Sequence, residues 1–346
     1  MRYLIAACTG SLTPPLINFA VYLQSIKTTM SMISRLRPFT LMLVCLTFSA
    51  TASASTKLTV LLDWFMNPDH APLVIAQENG YFADAGLEVE MVEPADPSMP
   101  PKMVAAGNAD IAVSYQPQLH VQVDAGLPLF RFGTLVSTPL NSLVVLADGP
   151  VQSIADLKGR KVGYSVGGFE DALLKTMLEN HGLSLDDVEL ININFSLSPS
   201  LISGQVDGVI GAFRNFELNQ MDIENSPGKA FYPEEEGVPL YDELILVANT
   251  EDRDNPALAD FIRAIERATT FIINHPDEAW EIFSQTDSDT LVNELNIRAW
   301  ADTLPRFALR PGALDKRRYR VFAEYMQAQG LIDDIPAVDS YALELQ

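Results

Sequence analysis

Aromatic side chains alternate with amides and carboxylates in five short segments of this 346-residue chain. Each segment follows an apolar run typical of a β-strand and precedes a pattern typical of a helix. Flat apolar walls with a few directed hydrogen bonds are the usual composition of a site that binds a small molecule. The segments are 63–70 (DWFMNPDH), 114–118 (SYQPQ), 165–170 (SVGGFE), 195–198 (FSLS) and 213–217 (FRNFE).

The candidate ligand-binding residues are twelve positions within four of these segments. Aromatic rings can stack on the faces of a planar molecule, and amide, carboxylate, imidazole and guanidinium groups can form hydrogen bonds with its edge. Two glycines at a strand-to-helix turn can present backbone N–H groups to a bound molecule. The predicted binding residues are Trp64, Asn67, His70, Tyr115, Gln116, Gly167, Gly168, Phe169, Glu170, Phe213, Arg214 and Asn215.

A structural role is the alternative for these residues. Trp64 and Tyr115 have residue types that also occur in an ordinary core. His70 and Glu170 lie where a side chain can serve the first turn of a helix. Arg214 is a candidate for a surface cation as well as for a pocket or interlobe contact. The sequence leaves these alternatives open.

Serine hydrolase chemistry is one catalytic alternative, because residues 163–167 (GYSVG) match the G-x-S-x-G pattern at a predicted strand–turn–helix junction. Ser165 would then need a histidine further along the chain, where His181 and His275 both stand at predicted helix boundaries. We therefore expect no catalytic residue. The four histidines are scattered, and the phosphate-binding and dinucleotide-binding glycine patterns are missing from the sequence, so we expect no metal and no cofactor.

The charge balance of the chain limits its partners. With 45 acidic and 23 basic side chains, the formal net charge is −22, and no broad basic face can neutralise phosphates. Non-specific nucleic-acid binding is therefore excluded as the main activity, and the same argument disfavours anchoring on anionic lipid. The hydrophobic content of 48% is sufficient for a core in one large domain or in two lobes.

Residues 32–54 are predicted to be a secretory signal that is removed. Arg35 and Arg37 form its basic start, residues 39–50 (FTLMLVCLTFSA) form an apolar run that is short for a bilayer span, and residues 52–54 (ASA) form a cleavage site. We interpret the residues before this signal as the product of a start codon assigned too early. A longer leader or a membrane anchor is the alternative.

Cleavage after Ala54 predicts an exported protein that starts near Ser55. Both cysteines, Cys8 and Cys45, lie in the removed segment. The mature protein would therefore have no disulfide and no cysteine nucleophile or metal ligand. Lipid attachment at Cys45 is not expected, because the residues before it lack the small pair of a lipoprotein signal.

Apolar runs typical of strands alternate with helical patterns in the mature chain, which predicts parallel sheets covered by helices. The predicted strands are 58–62, 87–92, 111–113, 143–146, 161–164, 188–195, 206–212 and 243–247. The predicted helices are 71–79, 103–106, 171–180, one starting at Pro199 after Ser198, 255–274, 276–285, 289–303 and 315–329. Two such series indicate two α/β lobes, one formed by residues 55–147 and 241–346 and the other by residues 148–240, with crossings near 146–150 and 238–242.

Four stretches of the chain resemble the family of periplasmic thiamine-precursor binding proteins and the related fungal thiamine pyrimidine synthases. The stretches are 61–98 (LLDWFMNPDHAPLVIAQENGYFADAGLEVEMVEPADPS), 104–115 (VAAGNADIAVSY), 153–178 (SIADLKGRKVGYSVGGFEDALLKTML) and 201–221 (LISGQVDGVIGAFRNFELNQM). The likeness covers residues 57–300. It implies a type II periplasmic-binding-protein fold, which has two α/β lobes, a hinge of two strands and a ligand in the cleft.

The synthase branch of that family is expected to make a pyrimidine from its own histidine and pyridoxal phosphate, using a lysine and a cysteine-rich iron-binding run. Here His70 keeps the spacing from Trp64, although the proline of that segment has moved to Pro68. The lysine position holds Ser114, so no Schiff base can form there, and the mature chain has no cysteine. The resemblance therefore implies the transport branch.

In the transport branch, the expected protein is a periplasmic receptor that delivers an aminopyrimidine, of the hydroxymethylpyrimidine or formylaminopyrimidine type, to an ABC permease and its ATPase. We expect a monomer whose cleft closes on the ligand through contacts from both lobes. Another small solute, such as a sulfonate, a nitrate or a riboflavin-like ring, is the alternative. An anion would need several cationic groups, and the segments supply few besides Arg214.

Overall fold

The structure is a computed structural model that describes residues 55–345. The predicted signal, the residues before it and both cysteines lie outside the described residues. None of the helices described in that range is both long and apolar enough to cross a membrane.

The first sheet has five strands in the spatial order β2-β1-β3-β10-β4. β1 pairs in parallel with β2 and β3, whereas β10 pairs antiparallel with both β3 and β4. The expectation of parallel sheets is wrong for β10, because this strand returns from the second sheet and starts at the end where β4 leaves. The strands are β1 (Thr56–Leu61), β2 (Leu87–Val92), β3 (Ile111–Ser114), β4 (Leu129–Val136) and β10 (Leu244–Asn249).

The second sheet has the equivalent order β7-β6-β8-β5-β9. β6 pairs in parallel with β7 and β8, and β5 pairs antiparallel with β8 and β9. Both sheets are therefore mixed. The strands are β5 (Asn141–Leu146), β6 (Lys161–Tyr164), β7 (Glu189–Asn192), β8 (Gly208–Phe213) and β9 (Gly228–Phe231).

Helices cover both sheets and extend the apolar cores between the layers. The helices are α1 (Ala71–Glu78), α2 (Tyr81–Asp84), α3 (Pro100–Ala105), α4 (Gln116–Asp124), α5 (Glu170–Glu179), α6 (Leu197–Ile202), α7 (Glu217–Ile223), α8 (Pro256–Asn274), α9 (Pro276–Gln285), α10 (Ser288–Leu291), α11 (Glu294–Thr303) and α12 (Lys316–Ala328). We use lobe 1 for the first sheet with α1–α4 and α8–α12, and lobe 2 for the second sheet with α5–α7.

Three helix predictions are wrong in detail. The helix predicted over 103–106 begins three residues earlier, at Pro100. The predicted helix 289–303 is two helices, because the Asn293 side chain accepts from the N–H of Asn296 and starts a new helix there. The helix predicted to begin after Ser198 begins at Leu197, with Ser196 in the capping position. α2, α4, α7, β4 and β9 were not among the predicted elements.

The chain crosses between the lobes twice. β5 begins at Asn141, so the first crossing lies between β4 and β5 and not near 146–150 as expected. The second crossing lies between Phe231 and Leu244, around the expected 238–242.

Glu243, which lies at the second crossing, forms hydrogen bonds with the backbone of the first crossing. Its Oε2 accepts hydrogen bonds from the backbone N–H groups of Leu140 at 2.6 Å and Asn141 at 2.9 Å. This carboxyl is fully buried, and burial raises its pKa to about 7. Arg214 lies against the same crossing, because its guanidinium donates to the carbonyls of Leu140 at 3.2 Å and Asn141 at 3.0 Å.

Candidate ligand-binding site

A cavity lies between the lobes, at the carboxyl ends of β1, β3, β6 and β8. The cavity is narrow in this structure, with a volume of about 20 Å³, and the surrounding space that includes open solvent amounts to about 390 Å³. Open α/β sheets bind ligands at this edge, where the strand-to-helix turns meet. The lining residues are Asp63, Trp64, Asn67, Asp69 and Tyr115 from lobe 1, and Glu170, Leu197, Gly211, Phe213, Phe216 and Glu217 from lobe 2.

The aromatic rings of the cavity come from both lobes and contact one another. The Tyr115 ring stacks on Phe169 with centroids 4.9 Å apart and planes 18° apart. Phe213 meets Tyr115 edge-on at 6.4 Å, and Trp64 meets Phe195 edge-on at 4.7 Å. These contacts fix the orientations of the lining rings, so that Trp64, Tyr115 and Phe213 can form the walls of a slot for a planar molecule.

Asp63 connects the Tyr115 wall to the buried imidazole of His70. The Tyr115 hydroxyl donates to Asp63 Oδ2 at 2.9 Å, and His70 Nε2 lies 2.9 Å from Asp63 Oδ1. His70 Nδ1 accepts from the N–H of Asn67, so Nε2 is the nitrogen that donates to Asp63. Burial and the Asp63 carboxylate raise the pKa of the Tyr115 hydroxyl well above its usual value.

Glu170 begins α5 and is held by the turn before it. Its Oε2 accepts from the backbone N–H groups of Ser165 at 2.7 Å and Val166 at 3.1 Å. Burial raises the pKa of this carboxyl to about 8. Gly211 lies directly against this carboxyl, since a Cβ at Gly211 would lie 2.4 Å from Glu170 Oε1.

Glu217 and Asp69 are two further lining carboxyls. Glu217 begins α7 and accepts from the N–H of Phe213 at 2.6 Å, and burial raises its pKa to about 8. Asp69 Oδ1 accepts from Asn215 Nδ2 at 2.7 Å and from the Thr303 hydroxyl at 3.0 Å. Burial raises the pKa of Asp69 to about 6.

The charge of the cavity favours hydrogen-bond donors and disfavours anions. Four lining residues are carboxylic acids, and none of the lining residues in the described part of the chain is a lysine, arginine or histidine. Acceptor oxygens at such a wall are satisfied by N–H or O–H groups of a neutral or cationic molecule. An anionic group would find no cationic partner among these lining residues.

The predicted binding residues fall into three groups in the structure. Trp64, Asn67, Tyr115, Glu170 and Phe213 line the cavity. A second group stands behind the walls and contacts lining residues, and it consists of His70, Phe169 and Asn215.

The remaining four predicted residues do not line the cavity. The Gln116 side chain accepts from the N–H of Asp242 at 2.8 Å, next to the second crossing. Arg214 is paired with Glu234, with its Nη1 2.6 Å from Glu234 Oε1. Gly167 and Gly168 form the turn that leads into α5, and Gly168 adopts a φ of +83° there. The residue types of Gln116 and Arg214 alone did not indicate these partners.

Six lining residues were not among the predicted set. Five of them lie inside the segments that we singled out from the sequence, so their position after strands was a usable signal. Gly211 lies within β8, and no feature of the sequence identified it as a lining residue. Only the structure shows that it lies against Glu170. The additional residues are Asp63, Asp69, Leu197, Gly211, Phe216 and Glu217.

Comparison with known proteins places the chain in a family. The family described as NMT1/THI5 like matches residues 67–279. A Haemophilus influenzae protein named for thiamine biosynthesis is 55% identical over 293 residues, covering 85% of this chain and 93% of that protein. The formylaminopyrimidine-binding protein of Halalkalibacterium halodurans is 37% identical over 225 residues, covering 64% of this chain and 68% of that protein.

A solved structure identifies the fold. The alkanesulfonate-binding protein SsuA of Xanthomonas axonopodis, bound to MOPS, superimposes with a TM-score of 0.67 at 15% identity. The match covers 84% of this chain and 99% of that one. The chain therefore has the two-lobe α/β fold of periplasmic binding proteins, as the resemblance implied, and its cavity occupies the cleft between the lobes.

Proposed function

The chain belongs to the NMT1/THI5-like family, and we propose that it is a periplasmic receptor for a thiamine-related aminopyrimidine of the hydroxymethylpyrimidine or formylaminopyrimidine type. In this proposal it delivers the ligand to an ABC permease and its ATPase. The observation that carries the proposal is a slot lined by aromatic rings and by buried carboxyls from both lobes. The name of the Halalkalibacterium halodurans relative supports the same ligand class.

The faces and edge of an aminopyrimidine match this slot. Trp64, Tyr115 and Phe213 offer apolar surface to the ring faces. The ring edge carries an amino donor beside ring-nitrogen acceptors. Glu170 Oε2 is already bound to two backbone N–H groups, which leaves Oε1 for the ligand.

The protonation of Glu170 suits both groups on that edge. Because burial raises its pKa to about 8, the carboxyl is largely neutral at pH 7. Its O–H can donate to a ring nitrogen, and its ionised form can accept from the amino group. Asp69 and Glu217 provide further acceptors for the substituents of the ring.

An enzymatic role has less support from the arrangement. The Ser165 hydroxyl donates to the carbonyl of Asn194, and in residues 55–345 none of its hydrogen-bond partners is a histidine. His181 pairs instead with Glu236 at 2.8 Å. For the synthase reaction, the lysine position is Ser114, whose hydroxyl donates to Gln118 at 2.9 Å. Replacing Ser165 by Ala would abolish turnover in a hydrolase, whereas a receptor has no turnover to lose.

The ligand is tested by mass spectrometry and calorimetry on protein that starts at Ser55. We expect an aminopyrimidine among the small molecules released on denaturation. We also expect 4-amino-5-hydroxymethyl-2-methylpyrimidine or its formylamino relative to bind, and the analogue without the amino group to bind about 5- to 100-fold more weakly. Binding of an alkanesulfonate, nitrate or riboflavin in place of these pyrimidines would refute the ligand assignment.

A matched pair of variants tests the site. Glu170→Ala should weaken binding of the pyrimidine, because it removes both the O–H donor and the acceptor oxygen proposed for the ring edge. Glu235→Ala is the control, since Glu235 is exposed and does not line the cavity. Export is tested separately by N-terminal sequencing of protein released by osmotic shock, which should start near Ser55.

A further inference from the structure

Asp69 of lobe 1 accepts buried hydrogen bonds from one residue of each lobe. Asn215, which follows β8 in lobe 2, donates from Nδ2 to Asp69 Oδ1 at 2.7 Å and to the Thr303 hydroxyl oxygen at 2.7 Å. Thr303, at the end of α11 in lobe 1, donates to the same Asp69 oxygen at 3.0 Å. All three residues are buried.

Asn215 depends on this set for its position. Its Oδ1 is buried and has no hydrogen-bond partner within residues 55–345, so the amide is held through Nδ2 alone. Burying an amide oxygen without a partner is unfavourable. The two hydrogen bonds from Nδ2 to Asp69 and Thr303 of lobe 1 therefore compensate for the unpaired oxygen of Asn215.

Opening of the cleft separates the donor from the acceptor. Asn215 moves with lobe 2, whereas Asp69 and Thr303 belong to lobe 1. In an open form Asp69 keeps the Thr303 hydroxyl but loses the Asn215 donor and gains water, so both donors hold its carboxyl in the closed form only. A ligand donor that contacts Asp69 would then favour closure, and closure would favour that contact.

We propose that Asn215 and Thr303 are positioning residues, which hold the Asp69 carboxylate in the wall of the ligand cavity when the lobes close. The ligand part of this inference rests on the proposed function, because it requires that a small molecule binds in this cavity. The closure part does not, since the hydrogen bonds are formed between residues of the chain itself.

Asn219 supplies a matched control on the same turn. Its Nδ2 donates to Asp302 at 2.8 Å across the cleft and to the carbonyl of Asn215 at 2.9 Å. The bond to Asp302 is exposed, and exposed bonds of this kind contribute little. Asn219→Ala thus removes an interlobe bond and perturbs the turn of Asn215 without removing a donor from Asp69.

The ligand-free experiment is small-angle X-ray scattering on the wild type, Asn215→Ala and Asn219→Ala. We expect a larger radius of gyration for Asn215→Ala than for the other two proteins, with thermal unfolding used to confirm that all three are folded. Scattering curves that are the same for Asn215→Ala and Asn219→Ala would overturn the inference. This outcome does not depend on which ligand the protein binds.

The ligand experiment measures association and dissociation rates with 4-amino-5-hydroxymethyl-2-methylpyrimidine. A residue that acts in the closed form should affect release, so Asn215→Ala should raise the dissociation rate about tenfold and change the association rate less than about twofold. Thr303→Val should behave like Asn215→Ala, and Thr303→Ser, which keeps the hydroxyl, should restore slow release. Equal dissociation rates for Thr303→Val and Thr303→Ser would overturn the positioning role. Lack of binding by the wild type would instead refute the proposed function.

Discussion

Gly211→Ala is the substitution for which the structure gives the most definite expectation. An added Cβ would lie 2.4 Å from Glu170 Oε1 and 2.5 Å from Glu170 Cδ, closer than atoms can approach. Gly211 also has a φ of +103°, which strains an L residue. The strain costs about 1–3 kcal/mol. Displacing Glu170 from its two backbone N–H donors costs about 0.5–1.5 kcal/mol for each bond.

These contributions together predict a loss of about 2–6 kcal/mol in the free energy of unfolding. For a protein of this size the melting temperature should fall by on the order of 10 °C. Pyrimidine affinity should fall by about 10- to 100-fold, because the carboxyl proposed to contact the ring edge is moved. Thermal denaturation followed by circular dichroism and titration calorimetry measure the two effects.

Gly208→Ala is the control for this prediction, because it lies in the same strand. A Cβ at Gly208 would meet Leu157 and Val145 at 3.4 Å, which is ordinary contact, and its φ is not in the left-handed region. Glu170→Ala should relieve part of the destabilisation when combined with Gly211→Ala, since it removes the atoms that clash. Equal melting temperatures for Gly208→Ala and Gly211→Ala, or strict additivity in the double variant, would refute the reasoning.

Three other predictions follow from buried polar groups. Burial raises the pKa of Glu170 and Glu217 from 4.5 to about 8, so these carboxyls bind protons more tightly in the folded protein than in the unfolded chain. The free energy of unfolding should therefore fall as the pH rises from about 4.5 to about 8. Melting temperatures across this range measure the slope, and replacing both residues by Gln should flatten it. Tyr115→Phe removes the 2.9 Å hydrogen bond to Asp63 and should lower the free energy of unfolding by about 1 kcal/mol in urea denaturation, and an unchanged midpoint would contradict this. Glu243→Ala leaves two buried backbone N–H groups of the first crossing without an acceptor and should destabilise the protein by about 2–5 kcal/mol in the same assay; a loss below about 0.5 kcal/mol would contradict the role of this carboxyl.

The elements with a clear apolar period could be predicted from the sequence. The strand Leu87–Val92 and the helix Pro276–Gln285 have the predicted bounds. β4 was missed because its buried run contains Arg131 and Gly133, which do not suggest a central strand. Arg131 is fully buried because it donates to carbonyls of the distant C-terminal segment, such as Leu343 at 3.1 Å. The direction of β10 could not be predicted either, since it follows from the return between lobes.

The segments that form the cavity could also be predicted, but the orientation of each side chain could not. A side chain turns away from the cavity when a partner distant in sequence binds it. Gln116 is bound to a backbone N–H 126 positions later, and Arg214 to a carboxylate 20 positions later. Gly211 carries no signal of its own, because its requirement for glycine is set by Glu170 on another element.

The position of β10 bears on the order in which the molecule assembles. Because β10 lies between β3 and β4, those two strands have no direct pairing, and the first sheet stays in two pieces until residues 244–249 arrive. The second sheet is built from the continuous stretch 141–231 and needs nothing from either terminus. We therefore expect folding to begin in the second sheet, residues 141–231. The two parts of the first sheet should join late, because their pairing requires contacts of large sequence separation.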